Sequence, residues 1–226
     1  MIKIEDTDVF GFESAIRGMR NPMNSWDKSD SGYKGEYDEA GFYAEFFKIG
    51  NNDLKLMKNL VKAGTDHSKF MRMINVTCDI TAPLYWWKEF DTYKAGTVRN
   101  SCSTMHKIHA KKFELDDFSH EHLGTEETQT EVERIVELPY IHSLEVTISF
   151  LNSARGKYLE TKDKNYWWQM IQLLPSSYNQ RATVQLNYAV LRNMYHSRKT
   201  HKLDEWHNFC HWIESLPYSE LITEDF

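Results

Sequence analysis

The sequence predicts an α+β fold, and two observations lead there. Stretches with strand alternation are few and scattered, whereas the longest stretches of helical periodicity gather in the second half of the chain. Regular βαβ units would alternate the two instead. Without an internal repeat, a low-complexity tract or a linker, the 226 residues are expected to form one domain spanning 1–226, long enough to bury a sizeable core without staples.

Taken in order, residues 1–9 alternate as a strand does, and "FESAIRGM" follows with helical spacing. The segment from Arg20 to Gly41 concentrates Asn, Pro, Ser, Asp and Gly and reads as a long loop. Loops of that length inside compact domains are usually functional or mobile. "NNDLKLMKNLVKAG" predicts a helix with Asn51 or Asn52 as its N-cap and Gly64 as its stop. "MINVTCDITA" predicts a strand with Ile74, Val76, Cys78 and Ile80 on one face. Pro83 suits the first turn of the next helix, which closes at Gly96. After a polar stretch from 100 to 125, a helical region opens at about Glu126 and runs with breaks to Leu174. "RATVQL" then predicts a short strand, a helix starts near Asn187, and "LDEWHNFCHWIESLP" predicts a last amphipathic helix that stops before Pro217.

Composition removes several classes of function. With 41% hydrophobic and 27% charged residues the chain is of the globular type rather than the disordered one. A formal net charge of -6 gives no broad attraction to a nucleic-acid polymer or an anionic membrane surface, so any phosphate site must be local. Seven Trp and twelve Tyr point first to a bulky core and second to clefts for flat ligands. Cys78, Cys102 and Cys210 are scattered and lack CxxC spacing, which implies a reducing compartment and neither a disulfide framework nor structural zinc. The N-terminal stretch does not read as a signal peptide and no run of apolar residues is long enough to span a bilayer. A cytoplasmic location is therefore expected.

Candidate chemistry is local. His207 and His211 share a helix face and His106 lies close to His109, but without HExxH they read as ordinary histidines, and no metal is expected. Cys102 lies beside hydroxyls and Arg99, yet no sharp strand-to-helix elbow presents it as a nucleophile. Walker and GxGxxG sequences are absent. What remains for phosphate is "YKAGTVRNSCST", where Lys94 and Arg99 with the hydroxyls of Thr97, Ser101 and Ser103 could supply charge-assisted hydrogen bonds; the alternative is a helix end followed by a turn.

"LNYAVLRNMYHSRK" poses the sharper question. In a helix Asn187, Leu191, Met194 and Arg198 share one face, flanked by apolar side chains, while Arg192, His196 and Lys199 lie opposite and can take the water. Asn187 can serve as the N-cap. An inward Arg198 needs a core acid, its own helix carbonyls or an anionic ligand, because an unpaired buried charge costs several kcal/mol, roughly.

Element order and motif residues together are similar to the flavin-dependent thymidylate synthases. "LLPSSYNQRATVQLNYAVLRNMYHSRKTHKLDEW" resembles that family's C-terminal signature at Leu174, Pro175, Asn187, Asn193, Arg198 and Glu205. "DHSKFMRMINVTCDITAPLYWWKEF" resembles its HxSPFEH segment and the elements after it, at His67, Ser68, Phe70 and Pro83, with a one-residue shift between the His and the Ser-x-Phe. The likeness spans about residues 52 to 216. It breaks at the family's RHRxxSxNExSxRY signature, where Thr92, Tyr93 and Lys94 replace Arg-His-Arg, Thr97 replaces the Ser, and Arg99 and Asn100 replace Asn-Glu. The Arg that precedes the family's Leu-Pro also has no counterpart.

The resemblance implies a small antiparallel sheet flanked by long helices and a cytoplasmic homotetramer. In it FAD and a dUMP-like pyrimidine deoxynucleotide meet at a subunit interface, a methylene folate donates one carbon and NADPH supplies hydride. It further implies that His67, Asn187 and Asn193 contact the cofactor, that Lys94, Thr97, Arg99 and Arg198 contact the substrate, and that Arg198 orients the base or stabilises charge on it. A divergent enzyme modifying the pyrimidine at C5 is the first expectation, and a non-catalytic or regulatory homologue that keeps the fold is the second.

Overall fold

A computed structural model describes residues 2–37, 39–125 and 139–225. Its strands are β1 (Lys3–Phe10), β2 (Gly32–Tyr37), β3 (Tyr43–Lys48), β4 (Asn75–Pro83), β5 (Val98–Ser101) and β6 (Asn179–Asn187). Its helices are α1 (Phe12–Arg20), α2 (Asn51–Lys62), α3 (Leu84–Phe90), α4 (Tyr140–Thr161), α5 (Lys164–Leu173), α6 (Tyr188–Arg198), α7 (Asp204–Glu214) and α8 (Glu220–Thr223). The fold is α+β with a small antiparallel sheet. One sheet has the order β1-β4-β6-β5, and β2 pairs with β3 as a separate antiparallel hairpin. The helical start expected at about Glu126 lies outside the described residues. Among the described residues no helix is long and apolar enough to cross a membrane.

The chain divides into two compact units, with boundaries inside strands. One comprises Met1–Lys3, Ile80–Thr92 and Asn100–Ala182, and the other Ile4–Asp79, Tyr93–Arg99 and Thr183–Phe226. In the first, α4 and α5 bury Leu144, Leu151, Ala154 and Met170 against Ile108, Phe113 and Phe118. Trp86, Trp87 and Phe90 of α3 are also fully buried, and the Trp87 indole N–H donates to the Gln180 carbonyl at 2.9 Å.

The second unit holds the residues of interest. Period-two alternation buries Val76 and Cys78 of β4 and Val184 and Leu186 of β6, while 3.6-residue spacing buries Tyr188, Leu191 and Met194 of α6 and Trp206, Phe209 and Ile213 of α7. The face expected for β4, Ile74 through Ile80, is buried throughout. Burial raises the Cys78 thiol to about 12, so it packs as a small apolar group and is not a thiolate.

Four local expectations differ from the structure. The segment from Arg20 to Gly41 is not a plain loop: it holds 3-10 turns at Asn21–Met23 and Trp26–Lys28 and then β2. The Arg20–Asp53 pair, 2.6 Å between Nε and Oδ1, ties that segment to α2. Helix α2 is capped from a distance, with neither Asn51 nor Asn52 at the N-cap position. The Asp30 carboxylate accepts from the backbone N–H groups of Asn52 and Asp53 at 2.9 and 3.1 Å, and Gly50 leaves room for it. A Cβ at Gly50 would fall 2.2 Å from the Asp30 carboxyl carbon. Helix α3 ends at Phe90, with Pro83 at its N-cap, and does not run on to Gly96. Arg192 and His196 do not simply face water. The Arg192 guanidinium donates to the carbonyls of Ile222 and Glu224, each at 2.9 Å, and an imidazole nitrogen of His196 lies 3.0 Å from the Ile222 carbonyl. The end of α8 leaves carbonyls without helical partners, and these two side chains satisfy them.

Candidate functional site

The junction of β6 and α6 builds the site. Asn187 has extended backbone angles, φ -126 and ψ 163, and its side chain accepts from the Val190 N–H at 3.0 Å as the helix N-cap. The amide nitrogen of the same side chain faces Gly96. A Cβ there would lie 2.6 Å from it, and Gly96 adopts φ +83, in the left-handed region that glycine tolerates best. One asparagine thus starts the helix and abuts the 93–97 loop.

That contact forms one wall of a cavity of about 480 Å³, lined by Arg72, Gly96, Asn187, Val190 and Asn193 with two alanines. Its polar side-chain groups are a guanidinium and two carboxamides, and among the described residues no acidic side chain lines it. A guanidinium offers five donors and no acceptor, and a carboxamide offers both. Such a set suits a ligand that carries negative charge together with an alternating donor and acceptor edge, as an imide ring does. The volume falls within the roughly 300–1,000 Å³ usual for small-molecule sites and fits one ring system with its substituent rather than a whole dinucleotide.

Arg198 has partners within its own unit. Its Nε donates to the Tyr93 hydroxyl at 2.9 Å, and its guanidinium carbon lies 4.8 Å from the Trp206 ring centroid and 5.5 Å from that of Tyr93. The Thr97 hydroxyl donates to the Tyr93 carbonyl. Arg198 and Thr97 therefore hold the two ends of Tyr93, and Tyr93 anchors the loop that delivers Gly96 to the cavity.

Of the residues expected from sequence, Asn187 and Asn193 come together in the cavity lining. Arg198 and Thr97 converge on Tyr93 instead. Lys94, on the same loop, and His67, between α2 and the 3-10 turn Lys69–Arg72, are exposed, and Arg99 is half-buried in β5; none of the three lines the cavity. Arg72, Gly96 and Tyr93 were not foreseen. For Arg72 the signal was present: counted from Ser68 and Phe70, the HxSPFEH pattern puts its final His at position 72. His207 and His211 join no metal-binding cluster among the described residues.

Gly96→Ala is expected to lower stability by about 1 kcal/mol through its positive φ. It should also displace the Asn187 amide and weaken ligand binding in the cavity. Urea unfolding and a binding titration on the same sample check the two effects.

Comparison with solved structures finds matches along nearly the whole chain. A crystal structure of thymidylate synthase X (ThyX) from Helicobacter pylori with FAD and dUMP matches with a TM-score of 0.65 and 15% identity, covering 98% of this chain and 96% of that one. A second structure, of flavin-dependent thymidylate synthase ThyX from the same organism complexed with FAD and dUMP, matches with a TM-score of 0.65 and 14% identity, covering 98% and 100%. No protein-family model matches the chain, and no curated protein matches it by sequence. The fold of the chain is therefore like that of flavin-dependent thymidylate synthases.

Proposed function

We propose that this chain is a divergent flavin-dependent enzyme of the thymidylate synthase type, acting at C5 of a dUMP-like pyrimidine deoxynucleotide by one-carbon transfer. The observation that carries this reading is the cavity at the start of α6, where Arg72, Asn187 and Asn193 present one cation and two carboxamides. Both flavin and pyrimidine rings have the imide edge that such groups recognise. A bound FAD would supply the redox chemistry, with NADPH as reductant and a methylene folate as carbon donor. Asn187 and Asn193 would orient the ring, and Arg72 would offset negative charge on it, taking over the cofactor contact that the resemblance gives to His67. Lys94 is exposed on the neighbouring loop and is suited to a phosphate, with Thr97 and Arg99 beside it in sequence. Arg198 would act mainly by fixing Tyr93, and hence the loop that carries Lys94. A homotetramer in the cytoplasm completes the reading.

One observation favours the alternative, a homologue that keeps the scaffold without the chemistry. Thr92, Tyr93 and Lys94 stand where the family has Arg-His-Arg, and the Tyr93 hydroxyl engages Arg198 directly at 2.9 Å. The two readings separate in a visible absorption titration with FAD and then dUMP. The enzyme reading expects a flavin band perturbed by the protein and shifted again by dUMP. Failure of the protein to bind either compound would leave only the scaffold.

A further inference from the structure

Within the first unit, the end of α4 and the start of α5 border a second, open pocket, separate in its residues from the cavity described above. It has a volume of about 340 Å³ and is lined by His106, His109, Tyr158, Lys162, Lys164 and Trp167, together with Met105. In a chain of formal net charge -6 this lining contains two lysines, two histidines and, among the described residues, no acid. Neither lysine has a carboxylate within ion-pair distance among the described residues. The Asp163 carboxylate, which lies between them in sequence, caps α5 by accepting from the Asn165 N–H at 2.9 Å.

The walls are pinned from behind. The Trp167 indole donates to the Met105 carbonyl at 2.9 Å, and the Arg155 Nε donates to the His109 carbonyl at 2.9 Å. Both ends of the 105–109 turn are thus fixed to the helices. The His109 ring stands edge-on to Tyr158 with centroids 4.9 Å apart. Lys162 Nζ lies over the Tyr158 ring and Lys164 Nζ over the Trp168 ring, each 5.8 Å from the centroid.

We propose that this pocket binds a flat-ringed organic anion, an aryl phosphate or an aryl carboxylate with one aromatic ring. The ring lies against Trp167 and Tyr158, and the anionic group meets Lys162 and Lys164. The volume, near the lower end of small-molecule sites, limits the ligand to a single ring system. This inference is independent of the flavin reading, because it uses none of the same residues.

Isothermal titration calorimetry with phenyl phosphate, benzoate and inorganic phosphate tests it. Phenyl phosphate or benzoate should bind saturably at one site, at least about tenfold tighter than inorganic phosphate, since the ring adds apolar contact worth roughly one decade. Whichever of the two binds tighter identifies the anionic group. The double variant Lys162→Ala, Lys164→Ala should weaken binding by at least about tenfold through lost charge-assisted hydrogen bonds, with its FAD and dUMP titration unchanged. No saturable binding, equal affinity for inorganic phosphate, or indifference to the lysine variant would overturn the proposal whatever the flavin titration gives.

Discussion

Replacing Arg20 with alanine is expected to destabilise the protein by about 3–5 kcal/mol, because it leaves the Asp53 carboxylate charged and buried with no cation beside it. Arg20 is 4% exposed and Asp53 0%. The guanidinium donates to Asp53 Oδ1 at 2.6 Å and to the carbonyls of Ser25 and Lys28, each at 3.0 Å. The other carboxylate oxygen accepts from the hydroxyls of Ser29 at 2.7 Å and Ser31 at 2.6 Å. One side chain therefore fixes the 3-10 turns and the approach to β2.

Burial alone would raise the Asp53 pKa, but the Ser31, Ser29 and Arg20 hydrogen bonds and the Arg20 charge outweigh it and hold the carboxyl below the usual range. A depressed folded-state pKa contributes stability that is present above the unfolded value, about 3.9, and is lost as pH falls through the folded one. In Arg20→Ala the burial effect loses two of its opponents, the Arg20 hydrogen bond and the Arg20 charge, so the carboxyl takes up a proton at higher pH. The stability gap between wild type and variant should thus be widest near neutrality and narrow below about pH 4. Urea unfolding at pH 7 and pH 3 measures both values; equal gaps would mean that Asp53 is not the group left unbalanced.

Arg72→Ala and Arg198→Ala are expected to fail in opposite ways. Arg72 is exposed and lines the cavity, so its loss should change stability by no more than about 0.5 kcal/mol. Removal of its charge-assisted hydrogen bonds should weaken flavin or nucleotide binding by about 10- to 100-fold. Arg198 is half-buried between Tyr93 and Trp206, and its removal deletes a hydrogen bond and two cation-π contacts. A loss of about 2 kcal/mol is expected, with weaker binding as a secondary result of a loosened 93–97 loop. Denaturant unfolding beside a flavin titration separates them. If Arg198→Ala kept full stability while losing all binding, Arg198 would be a direct ligand contact.

Residues whose role follows from near neighbours in the chain were legible. The alternation of Val76 and Cys78, the spacing of Leu191 and Met194, and Asn187 as an N-cap all depend on local periodicity or on donors a few residues away. The approximate order of elements was legible for the same reason. Arg192, His196 and Arg198 were not, because an amphipathic wheel tells which side of a helix is polar and cannot tell what packs against that side. Their partners lie in α7, α8, the residues beyond α8 and the 93–97 loop. Arg72 stood in a quoted motif, yet only the folded chain brings it beside Asn187.

By itself, then, the sequence determined the α+β class, the faces of β4 and α6, and the resemblance that named an expected fold, because these rest on short-range pattern and on the order of motifs. Tertiary structure decided which polar groups share a cavity and which hold the protein together. Asp30 caps a helix that starts 21 positions later, and Asp53 closes on Arg20 across 33 positions. Tyr93 meets Arg198 across 105. Each of these is a hydrogen bond or ion pair whose strength depends on distance in space and on exclusion from water, and neither quantity is written along the chain.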